Sequence, residues 1–211
     1  AVSNKWYHIA FSRQSGTLRV FRNGVQTGTA SASTDLNRVG DISIGSDASV
    51  WADNINGLLS NFRLVKGTSL YNSNFTTPTS PLTAVTNTTL LTLQSNRFVD
   101  NSGSAHTVTP SDNPAVTPSS PFATAEVYDP AVNGGSVYFD GTGDYLNAPG
   151  NTAFQFGTGD FTIEMFIHRA TSSLDTFLQY GNAVVGGYVN ISWGLYVTTT
   201  NYVSFEMSNG S

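Results

Sequence analysis

The side chains able to move protons or hold ions are few and scattered. The glutamates are Glu126, Glu164 and Glu206, and the histidines are His8, His106 and His168. Glycosidic cleavage takes two carboxylates facing one bond, and no strand-like segment here carries an acid-x-acid pair. Glu164 lies in the middle of the alternating segment 161–168, opposite in phase to Ile163 and Met165. There it reads as a solvated or hydrogen-bonded position rather than a catalytic acid. No two histidines stand at metal-ligand spacing, no cysteine exists to act as a nucleophile, and the G-x-S-x-G elbow of serine hydrolases is missing. These residues point to binding or structure, not to an enzyme.

Two kinds of site remain open. Asp140 and Asp144 flank Gly141-Thr142-Gly143, and two carboxylates on one small loop would offer hard oxygen ligands to Ca²⁺, which takes six to eight. The same D-G-T-G-D run is also a good hairpin turn. Asp47 and Asp53, around Trp51, form a weaker candidate of the same kind. For sugar contact, an exposed aromatic face stacks on a pyranose while amides bind its hydroxyls. Trp51 in a polar loop, Tyr71 after the Lys66-Gly67-Thr68 turn, and Tyr188 beside a turn are the candidate glycan contacts. Trp6 and Trp193 lie within strand-like segments and read as core.

The composition limits the classes of partner. Only 11% of residues are charged, less than half the roughly 25% usual in globular chains. Ser, Thr, Asn and Gly carry solubility instead, which suits an exterior setting. The net charge is -5, and no run of Lys or Arg exists to neutralise phosphates, so nucleic acid is not an expected partner. No apolar stretch approaches the roughly 18 residues of a membrane span. The first eleven residues read as a strand rather than a secretory leader.

Alternation with period two dominates the elements that must position these residues. Segments 6–12, 17–22, 41–45, 57–65, 136–139, 161–168, 191–197 and 202–207 all read as strands, separated by Gly- and Asn-rich turns. About a dozen short strands and no amphipathic helix predict an all-β chain, an antiparallel two-sheet sandwich or jelly roll. Residues 95–133 differ, with five prolines among Ser, Thr, Asn and Asp. Proline removes ladder donors, so this stretch reads as a connector with edge strands near 106–109 and 115–117.

Two segments resemble laminin-G-like domains of the concanavalin A-like lectin and glucanase superfamily. One is Lys5-Trp6-Tyr7-His8-Ile9-Ala10 followed by Leu18-Arg19-Val20-Phe21-Arg22-Asn23-Gly24. The other is Phe139-Asp140-Gly141-Thr142-Gly143-Asp144-Tyr145-Leu146 followed by Phe161-Thr162-Ile163-Glu164. Segments 57–71 and 75–82 resemble tandem laminin-G-like arrays in large virion proteins of marine tailed phages and cyanophages. That resemblance implies a tail-fibre, appendage or decoration protein at the virion surface. Its partners would be host-surface glycans or neighbouring subunits, in a homo-oligomer or a head-to-tail array. The order of the motifs is reversed here: 1–94 looks like the family's C-terminal half and 134–211 its N-terminal half. The expectation is a circularly permuted single sandwich; the alternative is parts of two successive repeats. In the first case Ala1 and Ser211 should lie close together.

Overall fold

Tight turns and alternation together build the first strands. In the computed structural model, which describes residues 4–47, 54–95, 97–122, 134–181, 191–200 and 202–207, β1 (Trp6–Gln14), β2 (Thr17–Arg22) and β3 (Val25–Ser31) form a meander. Both turns are two residues long, since Gln14 pairs with Thr17 and Arg22 with Val25. Their central residues all have positive φ: Ser15 at 49°, Gly16 at 74°, Asn23 at 51° and Gly24 at 75°. This is the type I′ geometry, whose twist matches that of paired strands.

The chain continues through β4 (Asp41–Ile44), β5 (Asn56–Lys66), β6 (Thr88–Thr92), β7 (Thr109–Ser111) and β8 (Ala115–Thr117). It then forms β9 (Ser136–Asp140), β10 (Tyr145–Ala148), β11 (Phe161–Arg169), β12 (Asp175–Gly181), β13 (Ile191–Val197) and β14 (Val203–Met207). Two antiparallel sheets result. One runs β3-β2-β1-β11-β5-β9-β8, with β6 also paired to β5, and the other runs β14-β13-β12-β4-β10-β7. Strands from the two ends of the chain alternate in both: β11 lies between β1 and β5, and β4 lies between β12 and β10. The segment between them supplies one edge strand of each sheet, β7 to the smaller and β8 to the larger. Ala1 and Ser211 lie outside the described residues.

One core joins the layers. Ile9, Phe11, Phe62, Phe139, Phe161 and Ile163 from the larger sheet meet Ile42, Ile44, Leu178, Tyr180 and Trp193 from the smaller one. Trp193 is fully buried among Phe156, Tyr180 and Phe205. The period of two then puts the intervening residues of β1 and β11 (His8, Ala10, Ser12; Thr162, Glu164, Phe166) on the outward face of the larger sheet. These residues are buried as well, so that face has its own cover.

The expected hairpin through Asp140–Asp144 is not one. β9 pairs with β5 and β8 in the larger sheet, whereas β10 pairs with β4 and β7 in the smaller. The loop is a corner that carries the chain from one layer to the other. Gly141 and Gly143 turn it with φ of 89° and 76°.

Because each sheet needs strands from both chain ends, neither end can close the core alone. Residues 1–94 expressed by themselves are expected to show no cooperative thermal transition by circular dichroism, unlike the whole chain. A sharp transition in that fragment would refute the shared core.

Candidate functional site

Sequence order places Glu164 in register between Ala10 on β1 and Arg63 on β5. The small Ala10 leaves room for the diagonal neighbour His8 to reach across. Arg63 reaches the same face because β5 carries a bulge. Its register shifts so that Ser60 faces Phe166 and Arg63 faces Glu164, with Asn61 at φ 54° in the irregularity. Were the same residues paired regularly, with no bulge, alternation from Leu59 would send Arg63 into the apolar core.

Three side chains then close on one carboxylate with four hydrogen bonds. Glu164 Oε1 accepts from Arg63 Nε at 2.8 Å and Nη2 at 2.5 Å. Its Oε2 accepts from His8 Nε2 at 3.0 Å and the Tyr71 hydroxyl at 2.8 Å. The Glu164 side chain has no exposure to solvent. Burial alone would raise its pKa, but the His8 hydrogen bond and the Arg63 charge outweigh it and hold the carboxyl below its ordinary range. Burial and then the Glu164 charge push the Tyr71 hydroxyl well above its ordinary range, so it remains a donor. With both oxygens engaged, Glu164 has no free lone pair directed at a substrate. It is an anchor.

What it anchors is an irregular strap, residues 68–83, laid over the outward face. Leu70 N donates to Thr162 Oγ1 at 2.8 Å, and Leu82 N donates to Asn61 Oδ1 at 2.7 Å. Arg63 Nη1 holds the Thr83 carbonyl at 2.7 Å, while Phe75 N donates to Gly24 O at 2.9 Å. A Cβ on Gly24 would run into the Phe75 carbonyl, so the Asn-Gly turn serves close approach as well as φ. Tyr71 stacks on Phe75 with centroids 3.6 Å apart and planes 9° from parallel.

Beside the strap lies an open groove of about 450 Å³. Its floor and one wall come from the sheet: Trp6 and His8 of β1, Phe166 of β11 and the turn residue Asn23. The opposite side is Thr77-Pro78-Thr79 of the strap together with Pro121 and Phe122. Phe122 meets Phe166 edge-on at 4.9 Å, and Trp6 packs against His168 at 5.4 Å. Asn23 is fixed by exchange with His8, donating through its backbone at 2.8 Å and accepting on Oδ1 at 2.9 Å. Two faces of aromatic carbon beside amide and hydroxyl groups can hold a small polar ligand with an apolar side.

The residues singled out from sequence fall in different places. Trp6, read as core, is half-buried and lines this groove, because it sits at the start of β1 on the outward face. Tyr71 is adjacent, but its hydroxyl is committed to Glu164 and one ring face to Phe75. Trp51, Tyr188 and Asp53 lie outside the described residues. Asp144 is buried, and its oxygens accept backbone amides from Asn113 at 2.8 Å and Asp140 at 2.9 Å. Asp140 Oδ1 accepts from Thr142 N at 2.7 Å. These hydrogen bonds hold the corner together. Among the described residues no group of three or more His, Cys, Asp or Glu is placed to hold a metal ion. Asn23, Phe122 and Phe166 were not foreseen as site residues, for only the strap and the 121–122 segment make them neighbours.

Against known families, residues 1–69 match the Laminin_G_3 model of the concanavalin A-like lectin/glucanases superfamily. The match covers the first third of the chain, from the start through β5, and the two antiparallel sheets make a sandwich consistent with it. No curated protein matches the chain.

Glu164→Gln keeps the shape and removes the charge, leaving Arg63 buried without its counter-ion. The expected loss of stability is about 3–5 kcal/mol, read from urea midpoints. The sign with pH follows from a folded pKa below the unfolded one. The contribution is complete above the unfolded value of about 4.3 and is lost as pH falls through the folded value. The gap between wild type and variant should therefore narrow on acidification, and a gap that widens would contradict the network.

Proposed function

We propose that this chain is a non-catalytic carbohydrate-binding module that holds its ligand in the groove beside Trp6. The observation that carries the reading is the groove itself, lined by the aromatic residues Trp6, Phe122 and Phe166 next to Asn23, Thr77 and Thr79. The lectin/glucanase match over residues 1–69 supports the same ligand class. Catalysis finds no support: glycoside hydrolysis needs a pair of carboxylates, and both oxygens of Glu164 are engaged by Arg63, His8 and Tyr71.

The wider setting we propose is a virion surface, where the module adheres to host glycans as part of a fibre, appendage or decoration of a tailed phage. Its support is the resemblance of segments 57–71 and 75–82 to tandem virion arrays, and the low charge of the chain. An open groove favours weak binding, in roughly the millimolar range for one module, and repetition along a fibre would raise avidity by about 10²–10⁴. Copies of the chain, or neighbouring virion subunits, are then its other partners.

A glycan array probed with a multimerised form of the chain tests the reading. Binding is expected, with the signal falling about two- to tenfold in Trp6→Ala, the scale of an aromatic contact worth about 0.5–1.5 kcal/mol. Thermal melting checks that the variant remains folded. A signal that survives Trp6→Ala but vanishes in Trp51→Ala would move the site to Trp51. No signal on any glycan would leave an architectural bead without a ligand.

A further inference from the structure

We propose that the site continues from the groove into a platform for a linear glycan chain laid across the strands of the larger sheet, an assignment that rests on the carbohydrate-binding reading above. The register places five residues in one row. Trp6 of β1 pairs with His168 of β11, His168 with Leu58 of β5, Leu58 with Tyr138 of β9, and Tyr138 with Ala115 of β8. The adjoining Tyr7, Ile167, Leu59 and Val137 belong to the main core or pack against it, so alternation puts the row on the outward face.

This row is open to solvent where the next one is not. Two places further in along β1 and β11, His8 and Phe166 are buried against Phe75 and Phe122. Trp6, His168 and Leu58 are only half-buried, Ala115 is exposed, and Tyr138 is 40% exposed. Trp6 lines the groove and also packs on His168 with ring centroids 5.4 Å apart, so groove and row are continuous. On the other flank Asn56 and Asp140 pair with each other, two places from Leu58 and Tyr138 and on the same face.

The surface is therefore a carbon stripe one side chain wide with an amide and a carboxylate along its flank. A sugar chain has the matching profile, with C–H faces that stack on rings and hydroxyls that reach polar groups beside them. Each strand spacing of about 4.8 Å is close to the length one pyranose adds to an extended chain, so the row of about 19 Å accommodates about four units. Other occupants fit less well. A second copy of the chain would need about 800 Å² of contact on each partner, far more than so narrow a stripe offers. An extended peptide is held by backbone hydrogen bonds at a sheet edge, whereas β1, β11, β5 and β9 are each paired on both sides.

Titration calorimetry on the whole chain tests this with β-1,4-linked oligosaccharides of glucose, xylose, mannose and N-acetylglucosamine, each in lengths of two, four and six units. In a series that binds, affinity is expected to rise about three- to tenfold from two units to four, for the added contact with the Tyr138 ring, and to level off by six. Tyr138→Ala should erase that gain and Tyr138→Phe should keep it, with thermal melting showing that both variants are folded. Equal affinity for two and four units, or a gain that survives Tyr138→Ala, would overturn the platform while leaving the groove as a sugar site. Binding of branched or single sugars on the glycan array, with none of the linear series bound, would do the same. An empty array together with no heat from any series would remove the carbohydrate reading and this inference with it.

Discussion

A single buried carboxylate organises the outward face of the larger sheet. Glu164 has lost its water, and an isolated carboxylate in that position would cost several kcal/mol. Arg63, His8 and Tyr71 offset that cost by supplying four donors to its two oxygens. The same three residues come from β5, β1 and the strap, so satisfying one charge fixes three pieces of chain in relation to β11. Apolar groups of equal volume could stabilise the sheet as well. They would not specify which strap conformation covers it, because dispersion contacts have no direction and hydrogen bonds do.

The strap is irregular, yet several of its backbone amides find partners. Asn61, Ser12 and Thr162 present side-chain oxygens where a paired strand would present carbonyls, and Leu82, Tyr71 and Leu70 donate to them. Short polar side chains on the outward face thus take over the role of a ladder. A second layer forms beneath, where Phe21 and Phe166 are buried although they point away from the main core. The groove opens where this cover ends, between the strap and Phe122. Its aromatic floor is the uncovered margin of that second layer.

The economy of charge in this chain follows the same pattern. Several of its few charged residues are buried and fully partnered. Arg13 has no exposure, and its guanidinium donates to the carbonyls of Gly159, Thr34 and Gly157 while lying over the Phe161 ring at 4.8 Å. Arg169 pairs with Asp175 through Nε at 2.6 Å, at the end where β11 gives way to β12. Arginine suits such places, since its planar fork gives several directed donors from one charge.

Local chemistry made much of the sandwich legible beforehand. Alternation in 161–168 placed Phe161, Ile163 and Met165 inward and Glu164 outward, because successive side chains on a strand point to opposite faces. The Asn23-Gly24 turn was legible because few residues accept positive φ at two adjacent positions. The D-G-T-G-D loop was misread as a hairpin: its glycines announce a turn, but which sheet receives the next strand depends on partners far along the chain. Arg63 could not be placed for a similar reason, since a bulge at Asn61 reverses the phase that alternation would assign. Trp6 looked like core because strand position alone does not say which face has a thick cover and which has a margin. The sequence by itself determined strands, turns and the inward stripe, all set by interactions within a few residues. The Glu164 network and the groove were decided only by the tertiary structure, because they require β1, β5, β11 and the strap to meet, and pairing between distant segments leaves no periodic trace in any one of them.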